Sequence, residues 1–199
     1  MEFQNKDHTG SKIGMWLILY TEIMLFGGLF ILYAAFLKKH PEEFVTSGKE
    51  LDLFVGTLNT VILLISSFAV AASITSIRLD KRKLALGMLW LTLFCGLIFL
   101  YNKFIEWGHK FEIGIFPGSE AMKNLNPGEN IFFGLYYLVT GLHGLHIVIG
   151  MALLLFSVVK IYMNKIDKDC FIILENSGLY WHLVDLIWIF IFPLFYLIV

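Results

Sequence analysis

The chain has 199 residues, 58% of them hydrophobic and 16% charged, with a formal net charge of −1 and a mean hydropathy of +0.75. So apolar a composition lies outside the range of soluble domains and belongs to a membrane protein. The balanced charge offers no basic stripe to neutralise phosphates, which excludes a nucleic-acid partner. Cys95 and Cys170 show neither CxxC nor zinc-ligand spacing, so no disulfide framework is expected.

In chain order, a polar N-terminus with Lys6, Asp7, His8 and Lys12 precedes a first apolar stretch, 14–37, interrupted only by Glu22. No small-residue cleavage site follows a short apolar core, so a removable leader is not expected. The second stretch, 53–77, carries Asn59 and a stripe of Ser66, Ala69, Ser73 and Ser76, small side chains that let helices approach closely in lipid. The link from Arg78 to Lys83 is so short that stretches two and three are predicted to be antiparallel neighbours. The third, 84–107, ends with Lys103 and Glu106, spaced i,i+3 for a pair on one helix face. From 108 to 130, Pro117, Gly118, Pro127 and Gly128 mark the longest connection as an external loop. The fourth stretch, 131–159, contains His143 and His146, with Gly134, Gly141 and Gly144 predicted to thin one side for packing. The fifth, 176–198, follows Glu175 and contains His182, Asp185 and Pro193, the last expected to kink or end the helix.

At ~1.5 Å per residue each stretch reaches, or nearly reaches, across ~30 Å of hydrocarbon as a helix. The predicted fold is therefore all-α, one integral membrane domain (1–199) of five transmembrane helices. No internal repeat supports an inverted-repeat transporter. With the N-terminus inside, nine Lys and Arg fall in inner segments and five in outer loops, Lys103 lying within a span. That bias places the N-terminus in the cytoplasm and the C-terminus outside.

Ionisable groups at membrane depth are retained only where they face a partner, a bundle interior or a water path. Counted from the inner surface, Glu22 lies roughly 12 Å deep, and His182 and Asp185 roughly 9 and 14 Å deep. His143 falls near the middle, with His146 a little inward, so Glu22, His146, His182 and Asp185 are expected at one level. Glu175 sits two turns below His182 on the same side of the helix. Two readings stay open: the groups bond to each other and lock the bundle, His182 with Asp185 first among them, or they handle protons. The short axial spacing of His143 and His146 argues against a haem shared by either of them with His182, and the lack of a carboxylate or cysteine on their face argues against a metal at the paired histidines; neither is expected.

Three segments carry a resemblance to a known family: Glu175-Asn-Ser-Gly-Leu-Tyr-Trp-His-Leu-Val-Asp-Leu-Ile-Trp, Phe132-Phe-Gly-Leu-Tyr-Tyr-Leu-Val-Thr-Gly-Leu-His-Gly-Leu-His-Ile-Val-Ile-Gly, and Trp16-Leu-Ile-Leu-Tyr-Thr-Glu22. Gly56-Thr-Leu-Asn59-Thr-Val-Ile-Leu-Leu and the Glu106-Trp107 pair extend it through all five spans in order. Together they resemble subunit III of haem–copper oxidases, in the five-helix bacterial form that lacks the first two helices of the long mitochondrial one. The resemblance implies a subunit of the bacterial inner (plasma) membrane with no redox centre, packed against oxidase subunit I, which holds haem and copper. It further implies bound phospholipid, support of proton uptake by the neighbouring subunit, and protection from turnover inactivation. The family's reactive intramembrane carboxylate matches Glu22; His143, His146, Glu175, His182 and Asp185 match its other buried polar positions. The donor branch read from Tyr-Trp-His-Leu-Val-Asp is cytochrome c; a quinol oxidase and an accessory subunit associated with nitric oxide reductase are the related alternatives. Supercomplex membership stays open, and a small proton-coupled transporter using Glu22 and Asp185 is the reading from another class.

Overall fold

Within hydrocarbon an apolar chain satisfies its own backbone only as a helix or a closed barrel, and these sequences take the first course. The computed structural model describes residues 2–168 and 170–197; residue 198, the end of the fifth expected span, lies outside them. Its elements are α1 (Glu2–Lys39), α2 (Pro41–Lys49), α3 (Leu53–Arg78), α4 (Arg82–Glu112), α5 (Glu120–Lys123), α6 (Pro127–Tyr162) and α7 (Ile172–Phe192), followed by a π-helical turn, Pro193–Leu197. Five of these helices are long and apolar enough to cross a membrane, as expected.

The helices run further than the apolar stretches. The expected loop 108–130 shrinks to 113–126 because α4 continues to Glu112 and α6 starts at Pro127. Pro127 suits a first helical position, and the Glu129 carboxylate accepts from the Asn126 N–H at 3.2 Å in a capping box. Helix α2 was not foreseen; it folds back over the bundle end and buries Phe44 against Tyr33 and Phe132. Gly128 is the point of close approach, since a Cβ there would sit 2.8 Å from the Cβ atoms of His40 and Glu43.

Helix α7 is the wedge of the bundle. Over half of its apolar window (56%) is buried, against 11% for α1, which lies at the periphery on α6 and α7. On one side α7 runs antiparallel to α3, where the Trp181 indole N–H donates to Ser66 Oγ and the Trp188 N–H to Thr60 Oγ1, both at 3.0 Å. On the other side it meets α6, with Ser157 and Ser177 hydroxyls 3.0 Å apart. Helices α3 and α4 form the expected antiparallel pair, turned by Asp80 at φ +58. The small stripe Ser66, Ala69, Ser73 and Ser76 is buried, as predicted. On α6 the expectation holds at Gly141, where a Cβ would come 3.0 Å from the Trp107 ring, and needs correction elsewhere: a Cβ at Gly134 or Gly144 would meet nothing within 4 Å, while Gly150 lies under the Trp181 ring, 2.8 Å from a Cβ. Glycine spacing marks a thin face, and the position of a large ring on the neighbour decides which glycine uses it. Pro193 turns the helix into its π segment, where Tyr33 donates a hydrogen bond to the Leu194 carbonyl.

Gly150→Ala pushes a Cβ into a fully buried indole and is expected to cost about 1–3 kcal/mol, whereas Gly144→Ala is expected to be close to neutral. Thermal unfolding of the two variants in the same detergent compares them directly.

Candidate functional site

Helix α1 holds on to the bundle through its one mid-span charge. Glu22 Oε2 lies 2.8 Å from His146 Nε2 on α6, and the side chains are 19% and 7% exposed. The other ring nitrogen, Nδ1, is 2.7 Å from the Leu142 carbonyl, which only accepts, so Nδ1 carries a hydrogen. The Nε2–Oε2 line then needs one more proton, held on nitrogen as an imidazolium–carboxylate pair or on oxygen as a carboxylic acid donating to the ring. Both states are neutral overall, which is what an apolar surrounding tolerates. Phe26 stands edge-on to the imidazole at 5.3 Å and Tyr180 stacks at 6.5 Å, packing the pair on its other sides.

The expected bond between His182 and Asp185 does not form. His182 Nδ1 instead meets the Ser67 hydroxyl of α3 at 2.7 Å, a partner across the helix interface rather than along its own helix. Asp185 is 3% exposed, and neither carboxyl oxygen makes a bond of hydrogen-bond geometry, although Ser67 faces it as well. The four residues expected at one level thus make contact in two groups, Glu22 with His146, and His182 and Asp185 beside Ser67. Glu175 joins neither; it lies at the bundle end, 3.1 Å from Lys12 and 3.0 Å from Arg78, tying α1, α3 and α7 together. His143 is fully buried between Phe99 and Trp188, ring centroids 5.5 and 5.2 Å away, and neither nitrogen has a hydrogen-bond partner.

Toward the opposite end lies a larger polar cluster than the sequence suggested. Lys103 and Glu106 form the expected pair at 3.1 Å, with side chains 9% and 7% exposed. Lys103 Nζ also donates to Tyr136 Oη at 3.1 Å and to Tyr196 Oη at 2.8 Å. Both hydroxyls in turn donate to Glu106 Oε1, Tyr196 at 2.6 Å. Tyrosines in an apolar run look like interface or core residues, so nothing local marked Tyr136 and Tyr196 as partners of a charge. Asn59, read as a secondary polar position, accepts from Asn102 Nδ2 at 2.8 Å and bonds α3 to α4.

These side chains do not fit a haem or a metal ion. Both nitrogens of His146 and Nδ1 of His182 are already engaged, and His143 is packed between rings. Among the described residues no three His, Cys, Asp or Glu side chains converge at metal-ligand spacing. Double-mutant cycles check the pairing seen here: the Ser67–His182 cycle is expected to give a coupling of about 0.5–1.5 kcal/mol, and the His182–Asp185 cycle a value near zero, from unfolding in detergent.

Residues 2–198 match the family model described as cytochrome c oxidase subunit III. A cytochrome c oxidase subunit 3 of Thermostichus vulcanus is 31% identical over 195 residues, covering 94% of this chain and 86% of that protein. A probable quinol oxidase subunit 3 of Staphylococcus saprophyticus is 30% identical over 197 residues, covering 97% and 92%. A probable quinol oxidase subunit 3 of Staphylococcus aureus strain USA300 is 28% identical over 198 residues, covering 98% and 92%. The chain thus belongs to the cytochrome c oxidase subunit III family, the accessory subunits of haem–copper oxidases.

Proposed function

We propose that the chain is the accessory subunit III of a proton-pumping terminal oxidase in a bacterial plasma membrane, N-terminus in the cytoplasm, and that Glu22 with His146 supports proton uptake by the catalytic subunit. The observation that carries the proton role is the pair's fixed occupancy: one exchangeable proton on the Nε2–Oε2 line, held by the peripheral helix α1. The excess of Lys and Arg in the segments 6–12, 78–83 and 160–168 supports the orientation. Redox chemistry belongs to the neighbouring subunit, which binds haem and copper; this chain contributes packing, lipid contact and a proton-holding pair. The direct partner is oxidase subunit I, with other oxidase subunits and bound phospholipid around it. The role of the first two helices of the long form falls to a neighbour lying against α1, whose outward face presents Trp16, Tyr20 and Met24.

The relatives' names carry both cytochrome c and quinol, so the donor is decided by assay; oxidation of reduced cytochrome c by the purified complex is the expected result. The complex is expected to show a-type haem absorption, and the separated subunit no Soret band. A Soret band or stoichiometric iron or copper in the separated subunit would count against the accessory reading.

Glu22→Gln separates a proton role from a packing role. The glutamine amide can donate to His146 Nε2 while Nδ1–H keeps the Leu142 carbonyl, so assembly and haem content are expected to stay intact. The amide cannot exchange the proton, so proton release or sustained turnover is expected to fall in reconstituted vesicles. Oxygen consumption, pumping and inactivation rate that all match wild type would leave the pair a purely structural contact.

A further inference from the structure

Helix α7 is the most covered of the five spans, yet one stripe of it faces away from the bundle. Leu179, His182, Leu186 and Ile189 recur at steps of three and four residues and so share one face; Leu186 and Ile189 are exposed there. The stripe runs along a trough with α1 as one wall and α3 as the other. On the first side Leu186 continues into an apolar groove of about 240 Å³ that it shares with Ile23 and Gly27 of α1. On the second His182 rests on Ser67 of α3, and Leu64, one turn before Ser67, is exposed. Apolar side chains in lipid need no further partner; an imidazole among them does.

His182 Nδ1 is held by the Ser67 hydroxyl, whereas Nε2 is not enclosed and has no partner among the described residues. Hydrogen-bond accounting decides which nitrogen carries the proton. If Nδ1 donated, the Ser67 O–H would be left to the Asp185 carboxyl, which it faces without hydrogen-bond geometry. If Ser67 donates to Nδ1, its hydroxyl is used in the bond that is formed. Asp185, buried with no bonded donor among the described residues, is then an uncharged acid, the state that burial without a counter-charge requires. The ring is therefore the neutral Nε2–H tautomer, and it presents a donor to the trough. That donor stands roughly 9 Å inside the nearer hydrocarbon boundary. Acyl chains carry no acceptor, and the ester and phosphate oxygens of a lipid stay at the boundary, so lipid alone leaves the N–H unpaired.

We propose that the trough between α1 and α3 seats a transmembrane helix of the haem-bearing subunit, and that this helix presents an oxygen acceptor to His182 Nε2–H. Leu179, Leu186 and Ile189 supply the packing face. Gly27 keeps the α1 wall low, since a Cβ there would meet nothing within 4 Å. Such apolar contacts accept a helix at any height, whereas one N–H in hydrocarbon accepts only the height that brings an oxygen to it. His182 thereby sets the register of the incoming helix. Ser67 is a positioning residue: its O–H holds the ring in the tautomer that points the donor outward. Every group from Asp185 to the acceptor is uncharged, so seating the helix buries no ion.

The partner's identity rests on the oxidase reading, and the test keeps the two apart. The whole complex is purified in mild detergent with a benzophenone side chain in place of Leu186, or of Leu64 where the first does not assemble, and illuminated. The expected product is a cross-link to the haem-bearing subunit. Retention of this chain in the complex is then followed over time for two variants that divide the imidazole between them. His182→Gln reaches the position of Nε2 with an amide N–H and is expected to stay bound like wild type. His182→Asn keeps an acceptor for Ser67 near the position of Nδ1 but has no outward donor, and is expected to dissociate about 2–10-fold faster. A cross-link to phospholipid alone or to a second copy of this chain, or a His182→Asn chain retained as long as wild type, would overturn the proposal. So would His182→Gln leaving faster than His182→Asn, the order expected if only the Ser67 contact matters. A purified complex without haem overturns the oxidase reading itself, whereas a haem-bearing complex in which the probe links elsewhere overturns the trough alone.

Discussion

In hydrocarbon a polar group has no solvent to fall back on, and the central helix α7 meets that constraint on both of its packed sides. Its two indole N–H groups, His182 and Ser177 reach outward from the wedge and meet acceptors or donors on α3 and α6, and Tyr196 of the following π turn reaches Glu106 on α4. Those bonds set the register of α3 against α7: Ser66 faces Trp181 and Thr60 faces Trp188, six residues matched to seven on antiparallel helices. A slip by one residue would leave both indoles unpaired, at about 1–3 kcal/mol each. Apolar packing between membrane helices has no solvent-driven term to choose among registers, so the hydrogen bonds do the choosing.

The buried ionisable groups follow one rule, neutrality within each cluster. Glu22 and His146 share a proton between two helices; Lys103 and Glu106 balance each other with tyrosines completing the coordination. What distinguishes them is helix attachment. The first pair joins a peripheral helix to the core, so changes at α1 reach it directly. The second ties α4, α6 and the C-terminal π turn into one knot, and only its edge touches a recess between Asp52 and Lys110.

Asp185 and His143 stand apart from this rule, because both are buried in α6–α7 territory with no bond of their own. Their polar atoms are enclosed by Ser67 on one side and by Phe99 and Trp188 on the other, which makes them the least satisfied part of the interior. A group in that condition gains from any reorganisation that brings a donor or acceptor to it. The outward face of α1 is the least covered of the five spans.

Much of this was legible in the residues because membranes simplify the problem. Apolar length alone predicts the five helices, a six-residue link forces α3 beside α4, and an i,i+3 spacing on one helix is enough to place Lys103 on Glu106. Motif segments in all five spans carried the family resemblance before any packing was known. Partner choice across helices was not legible, since it depends on rotation and register, which hydropathy does not encode. Depth counting put Glu22 and His146 near one level without saying that they touch, and the i,i+3 spacing on one helix joined His182 to Asp185 when Ser67 is the partner of His182. The small helix α2, the two tyrosines closing the Lys103 cluster, and the choice of Gly150 over Gly144 as the contact point were decided only when the helices packed. Local spacing determines what one helix can present; the tertiary structure decides what stands opposite it, because in lipid that choice is made by a handful of polar groups and large rings that must fit at once.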